Sequence, residues 1–304
     1  MHWEVPEPLA TGEVRTADGS LIVLRRHGNP DGPRLVLSHG NGLAIDLYYP
    51  FWSRLAERFD LIVHDFRSHG RNPRAPLGSH HFPTFVWDNE HVVRGIDRHF
   101  GAKPKIGVFH SMSALTALYQ ALRAGPRYAA LVLFDPPFSP PNGDRLESVY
   151  LERENELSAR TRRRQPRFET REAFAETVRG ASMFSRLLPG VPELYARATL
   201  RPTADGAGGF ELCCPREHEA QIFETFLDSS FELAMGSFPC PLKLIGGDPT
   251  GPGAFVPSIV LHDFAKRCDL DYDYVPGSSH FLQLEKPAEC AALMLEFLER
   301  HGLA

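Results

Sequence analysis

The sequence predicts an α/β protein, a mostly parallel sheet with helices on both faces, interrupted once by a helical insertion. Three observations carry this. Apolar runs of strand length alternate with amphipathic helical stretches from residue 34 to residue 134, and again from 242 to 300. Between those blocks the chain turns charged and helical, as in LERENELSARTRRRQPR and ETREAFAETVRGASMF. Several predicted strands also end in turns rich in glycine, histidine or serine, where open α/β sheets build their sites.

Taken in order, residues 13–16 and 21–25 flank Asp18-Gly19 and read as an opening hairpin. Residues 34–38 form a strand and 47–59 a helix; 61–65 form a strand and 84–100 a helix. The strand at 106–109 leads directly into a helix after Ser111, and 131–134 is the next strand. Alternation resumes with strands at 242–245 and 271–275 and a closing helix at 288–300. The expected organisation is therefore a core of residues 1–139 and 239–304, with a mostly helical cap over 140–238. No internal repeat is visible.

Composition limits the function classes. The 304 residues, 42% hydrophobic and 23% charged, can bury a large core, which argues against disorder. A formal net charge of −5 gives no electrostatic footprint for nucleic acid. No apolar run approaches the ~20 residues of a membrane span. The start, MHWEVPEPLA, lacks the basic and apolar parts of a signal peptide. The five cysteines show no metal-ligand spacing, so a reduced, cytoplasmic protein without a bound metal is expected. The arginine run at 162–164 reads as a solvated helix face, with attraction of an acidic substrate as the alternative. Trp52, Phe82, Phe85 and Trp87 read as core aromatics, with a pocket lining as the alternative.

The chemistry is concentrated in KIGVFHSMSA, where an apolar strand stops at His110-Ser111-Met112-Ser113 and a helix begins at once. A serine on such a turn has its hydroxyl lifted clear of both elements, at a helix N-terminus that favours negative charge. Ser113 is the nearby competitor, and a plain helix-capping serine is the other reading. Small residues are needed two before and two after the nucleophile; Ser113 meets this, while Phe109 stands where glycine is usual. His39-Gly40-Asn41-Gly42 follows the strand at 34–38, and its glycines allow an amide to turn towards an oxyanion. His280, in Pro276-Gly277-Ser278-Ser279-His280, sits on a loop between a strand and the last helix, suited to a mobile base.

These segments together resemble the α/β-hydrolase family along nearly the full chain. HGNG, HSMS, an aspartate and GSSHFLQLEKP follow the family's order of oxyanion loop, elbow, acid and late histidine, and DFRSHGRNP is similar to its turn after the next strand, with Asp65, Arg67 and His69 structural. The resemblance implies Ser111 as nucleophile, His280 as base, and the backbone N–H groups of Asn41 and Met112 as oxyanion donors, with no cofactor or metal. Two acids compete. Asp135 ends the strand at 131–134, where some haloalkane dehalogenases carry theirs; Asp248 follows the strand at 242–245, the commoner arrangement, but comes early in its loop. Asp135 is favoured. The expected protein is a serine hydrolase of a small-molecule carboxylic ester or lactone; a C–C bond or thioester hydrolase, or a weakly catalytic ligand-binding receptor of the same fold, are the alternatives.

Overall fold

The structure, a computed structural model, describes residues 2–204, 206, 208–227, 238–251 and 254–304. Along the chain, β1 (Ala10–Arg15) and β2 (Leu21–Gly28) form an antiparallel hairpin. The strands β3 (Arg34–Ser38), β4 (Asp60–His64), β5 (Lys105–His110) and β6 (Ala130–Phe134) are buried at every position. That is why they read as near-continuous apolar runs, since a parallel strand covered by helices on both faces has no solvated side.

The connection after β3 differs from the reading. Residues 47–59 do not form one helix: a 3-10 turn at Ile45–Tyr48 is followed by the single α-turn α1 (Tyr49–Trp52) and a second 3-10 turn at Ser53–Leu55. Pro50 has no N–H to donate, so no continuous hydrogen-bond ladder crosses it. The next helices, α2 (Phe82–Phe100) and α3 (Met112–Ala124), follow their apolar stripes.

Between β6 and the next long strand run α4 (Glu147–Arg163), β7 (Arg167–Phe168), α5 (Arg171–Gly180), α6 (Val191–Thr199), β8 (Leu200–Pro202), β9 (Phe210–Leu212) and α7 (Arg216–Leu227). The three short strands form a second, antiparallel sheet in the order β7–β9–β8. At two or three residues each they are shorter than the four to eight over which alternation can be read. Residues 228–237, which end the charged stretch of the sequence, lie outside the described residues. Phe168, Phe174, Val178, Leu194 and Tyr195 join one apolar cluster with Leu43, Tyr48 and Phe51, so this stretch packs on the main sheet's own core.

The chain returns with β10 (Leu242–Gly246), α8 (Val256–Arg267), β11 (Tyr272–Tyr274), the single turn α9 (Leu282–Glu285) and α10 (Pro287–Arg300). Helix α8 is absent from the sequence reading. Its buried residues, among them Val256, Val260, Leu261, Phe264 and Ala265, recur at helical spacing, and two neighbouring parallel strands require such a crossover.

The eight-stranded sheet has the order β1–β2–β4–β3–β5–β6–β10–β11, antiparallel at β1–β2 and β2–β4 and parallel elsewhere. Ser38 pairs with Phe109, and His110 and Ile245 flank Phe134. The carboxyl ends of β3, β5, β6 and β10 therefore lie level. Asp65, Arg67 and His69 serve the framework next to that edge. Asp65 accepts the N–H of Ile45 at 2.7 Å and pairs with Arg25 at 3.2 Å, and Arg67 forks onto Asp88 with two contacts of 2.7 Å.

Phe109 is accommodated from the strand below it. A Cβ placed on Gly107 would lie 2.5 Å from Phe109 Cε2 and 2.7 Å from Leu131 Cδ2, so the ring folds back into the space that glycine leaves. Gly107→Val should lower the unfolding free energy by ~1–3 kcal/mol through overpacking. Urea denaturation checks this, and unchanged stability would refute the account of how Phe109 fits.

Candidate active site

Ser111 occupies a backbone conformation that side chains avoid, φ 54° and ψ −120°, between β5 and α3. Such a residue costs ~1–3 kcal/mol and persists only when its surroundings hold it. Its N–H donates to the Phe134 carbonyl at 2.8 Å, and its carbonyl accepts the Leu115 N–H at 3.1 Å. Ser113 is buried and bound within the turn, its hydroxyl accepting the His110 N–H at 3.0 Å and donating to the His110 carbonyl at 2.9 Å. Of the two serines, Ser111 is the one that borders the cavity.

The structure brings His280 and Asp135 to Ser111. His280 Nε2 lies 3.0 Å from Ser111 Oγ, and Nδ1 lies 2.6 Å from Asp135 Oδ2. A neutral imidazole donating from Nδ1 to the carboxylate presents its Nε2 lone pair to the serine hydroxyl. The buried Asp135 is itself fixed: Oδ2 accepts the Ser258 hydroxyl at 2.7 Å and Oδ1 the Gly247 N–H at 3.1 Å. Asp248 stands elsewhere. It accepts the Gly277 N–H at 2.7 Å and the N–H and hydroxyl of Thr250 at 2.9 and 2.7 Å. Those bonds, the Gly277 N–H first, hold its carboxyl down at about 2. It fastens the histidine loop rather than the histidine.

The loop after β3 lies directly against the elbow; a Cβ on Gly40 would come within 3.1 Å of Ser111 Cβ. Asn41 and Met112 both line the cavity, and among the described residues neither backbone N–H has a hydrogen-bond partner. Helix α3 starts at Met112 without a side-chain cap, leaving its first-turn N–H groups available. The Asn41 side chain donates to the Glu219 carbonyl at 2.9 Å, tying the loop to α7. The Glu219 carboxylate pairs with Arg164 and fills the space beside Gly42, which turns at φ +73°.

Sequence reading missed a buried scaffold behind these groups. His39 Nδ1 bonds the Gly40 carbonyl at 2.7 Å while Nε2 accepts the Phe66 N–H at 3.1 Å. His69 Nδ1 bonds the Arg67 carbonyl at 2.8 Å while Nε2 accepts the Gly42 N–H at 3.1 Å. His110 Nε2 bonds the His280 carbonyl at 2.8 Å, and its Nδ1 meets the Tyr48 hydroxyl at 2.6 Å, which also receives the Gly40 N–H at 3.3 Å. His39 and His69 thus donate from one nitrogen and accept at the other, a pattern open only to neutral imidazole, and the Tyr48 hydroxyl can donate to a neutral His110 in the same way. Burial accordingly depresses all three, to about 3 for His39 and His69 and well below the ordinary value for His110. The histidines were visible in HGNG, HSMS and DFRSHGRNP; which backbone groups they hold was not.

The site opens into a cavity of about 890 Å³ bordered by Ser111, His280 and residues of α4 and α5. Trp52, Phe82 and Phe85 are core and Trp87 is exposed; none of the four lines it. Glu154 of α4 does, and burial raises its carboxyl to about 7 against the opposing pull of His280. Among the described residues, one group has metal-ligand chemistry: His69, His80 and Cys214, buried, with ligand atoms within 4.8 Å. Its spacing in the sequence gives no hint of it. Both nitrogens of His69 are already bonded, so an ion there would displace Gly42 from its partner.

The neutral histidines set a pH dependence. The unfolded chain takes up protons at His39, His69 and His110 near pH 6.5, whereas in the folded chain His39 and His69 resist until about pH 3 and His110 is held well below its ordinary value. The unfolded state binds more protons in that window, so stability is full above pH 6.5 and falls below it, by up to ~1.4 kcal/mol per histidine per pH unit. The raised carboxyls of Glu154, Asp88 and Glu219 work in the opposite sense, but His27, His64, His80 and His218 are depressed by burial as well and add to the side of the three. Urea midpoints should drop clearly from pH 7.5 to pH 5, and equal midpoints would contradict the neutral scaffold.

Residues 35–293 match the family described as "Alpha/beta hydrolase family". Among solved structures the chain is similar to E-2-(acetamidomethylene)succinate hydrolase, with 21% identity over 95% of this chain and 99% of that one and a TM-score of 0.78. It is also similar to a thioesterase domain from the curacin biosynthetic pathway (20% identity, 94% and 99% covered, TM-score 0.68). An esterase from Thermogutta terrifontis gives 19% identity, 96% and 98% coverage and a TM-score of 0.68. No curated protein sequence matches the chain. Among the described residues no helix is long and apolar enough to cross a membrane.

Proposed function

The chain belongs to the alpha/beta hydrolase family, and within it we propose a serine hydrolase that cleaves a carboxylic ester or lactone through an acyl-enzyme on Ser111. The observation that carries this reading is the unbroken line of contacts from Ser111 Oγ through His280 to Asp135. A serine hydroxyl is a weak nucleophile until a base takes its proton. In this reading His280 Nε2 accepts that proton as Oγ attacks the carbonyl carbon, and the Asp135 carboxylate holds the tautomer and stabilises the imidazolium.

The carbonyl oxygen becomes an oxyanion, for which the free N–H groups of Asn41 and Met112 are the donors; one such donor contributes about 2.7–4 kcal/mol at the transition state. His280 then returns its proton to the leaving alkoxide, the C–O bond breaks, and the acyl group stays on Ser111. Water enters, gives its proton to His280 and attacks the acyl carbon, which releases the acid and restores the serine. The strained Ser111 backbone keeps Oγ out of reach of its own helix, so the hydroxyl is poised before substrate arrives. We read residues 140–238 as a cap over this centre. Lining of the cavity by Leu157, Phe174, Val178 and Tyr195 supports that role, because a cap of this kind excludes water and selects the substrate.

Two measurements test the reading. A fluorophosphonate should label the protein stoichiometrically at Ser111, and Ser111→Ala should abolish both labelling and turnover of a p-nitrophenyl ester. Asp135→Asn should cost up to ~10⁴ in kcat by favouring the wrong imidazole tautomer. Asp248→Asn should cost far less, because it loosens only the loop that carries His280. A large loss at Asp248 with Asp135→Asn near wild type would reverse the assignment of the acid.

A further inference from the structure

Many arginines outside the cavity pair with carboxylates even where exposed, as in Arg58–Glu299, Arg145–Asp263, Arg162–Glu224, Arg267–Asp144 and Arg300–Asp271. Five others border the cavity over Ser111. Of these, Arg164 pairs with Glu219, but among the described residues Arg153, Arg160, Arg163 and Arg186 meet no carboxylate. The single polar contact of Arg160 is to the sulfur of Met183 at 3.6 Å.

The helix explains how they gather. Positions 153, 160 and 163 are separated by seven and three residues, so α4 presents them on one side, next to Glu154 and Leu157. The same three arginines border an adjoining pocket of about 350 Å³, which shares Leu157 and Phe255 with the main cavity. The deeper walls are apolar, with Phe168, Phe174, Val178 and Phe281 beside the catalytic groups. Three carboxylates also line the space. Glu219 is paired with Arg164, Asp248 is bonded to Thr250 and Gly277, and burial holds Glu154 near half-protonation at neutral pH. The lining therefore carries an excess of positive charge in a chain whose formal net charge is −5.

We propose that the substrate is an anionic ester. It would have an apolar body that reaches Ser111 and a carboxylate or phosphate group, remote from the scissile bond, held by Arg153, Arg160, Arg163 and Arg186. A guanidinium offers a planar fork of N–H donors that matches either anion in two parallel bonds. Arg153, Arg160, Arg163 and Arg186 stand exposed at the rim of the apolar cavity and, among the described residues, meet no carboxylate, so their forks are open to an anionic ligand. Within the arginine run, Arg162 pairs with Glu224 on the surface and Arg163 is exposed as a solvated face requires, but Arg163 also borders the cavity and Arg164 lines it while paired with Glu219. This inference rests on the serine hydrolase reading and adds the substrate class to it.

Two sets of esters test it, each with a neutral, a carboxylate and a phosphonate member. On the acyl side these are p-nitrophenyl hexanoate, mono-p-nitrophenyl adipate and p-nitrophenyl 5-phosphonopentanoate. On the alcohol side they are the hexanoates of phenol, 4-hydroxybenzoate and 4-hydroxyphenylphosphonate. At low salt kcat/KM should be at least about tenfold higher for an anionic member than for the neutral one of its set, carried by KM. Whether the carboxylate or the phosphonate gives the larger ratio identifies the anion. The preference should shrink as salt is raised to about 0.5 M. It should also fall several-fold in the R160Q/R163Q double variant, with partial recovery in R160K/R163K. Equal or better turnover of the neutral esters, or an undiminished preference in R160Q/R163Q, overturns the inference and leaves the hydrolase reading standing. Fluorophosphonate labelling with no turnover of any anionic ester overturns it in the same way. Absence of both labelling and hydrolysis removes the hydrolase reading, and this inference with it.

Discussion

The level alignment of the parallel strand ends governs everything else in this molecule. Pairing Ser38 with Phe109 and His110 with Phe134 brings residues 39–42, Ser111 and Asp135 out of the sheet side by side. A shift of one residue in any of these strands would turn each side chain to the other face and separate the elements by more than a hydrogen bond. The backbone bond from Ser111 to Phe134 continues the ladder one step past the strand, which is how a strained residue is held without a stabilising side chain. Asp135 is anchored in the same way, through its N–H to the Ile245 carbonyl at 2.9 Å.

Behind that edge the protein uses burial to fix protonation state. His39, His69 and His110 are enclosed completely, so charging them would cost desolvation, which outweighs even the Asp65 carboxylate 3.4 Å from His39 Nε2. Kept neutral, each acts as a rigid two-ended connector between backbone groups. The path from Gly40 through Tyr48 and His110 to the carbonyl of His280 joins the loop beside Ser111 to the loop that bears His280. One buried network thus holds the two loops that flank Ser111. Buried polar networks are high-stakes in this sense: complete, they hold a single geometry.

The cavity above has the opposite character. Its lower walls are apolar, and its arginines stand on α4, just after it, and on the segment that follows α5, in the stretch between β6 and β10. Strand ends and helix surfaces thus contribute different parts of its lining. Strand ends supply groups whose geometry tolerates little change, while helix surfaces supply side chains that can vary without disturbing the sheet.

The sequence by itself determined a mostly parallel sheet and most of its strands in chain order, and singled out Ser111 and His280 as candidates, because fully buried parallel strands leave apolar runs and sharp strand-to-helix turns leave a local signature. It also favoured Asp135, on its position at a strand end. It could not read the pieces around Pro50, the two- and three-residue strands β7–β9, or helix α8, where local pattern is too short or was overridden by a proline. Only the tertiary structure decided which carboxylate faces His280, since Asp135 and Asp248 each follow a strand and differ in what they meet across the fold. Only it revealed that buried, neutral His39, His69 and His110 link backbone groups around the site, and that four arginines border the cavity without a carboxylate among the described residues. Hydrogen-bond partners and ion pairs are made between segments as many as 241 residues apart, and no local periodicity encodes them.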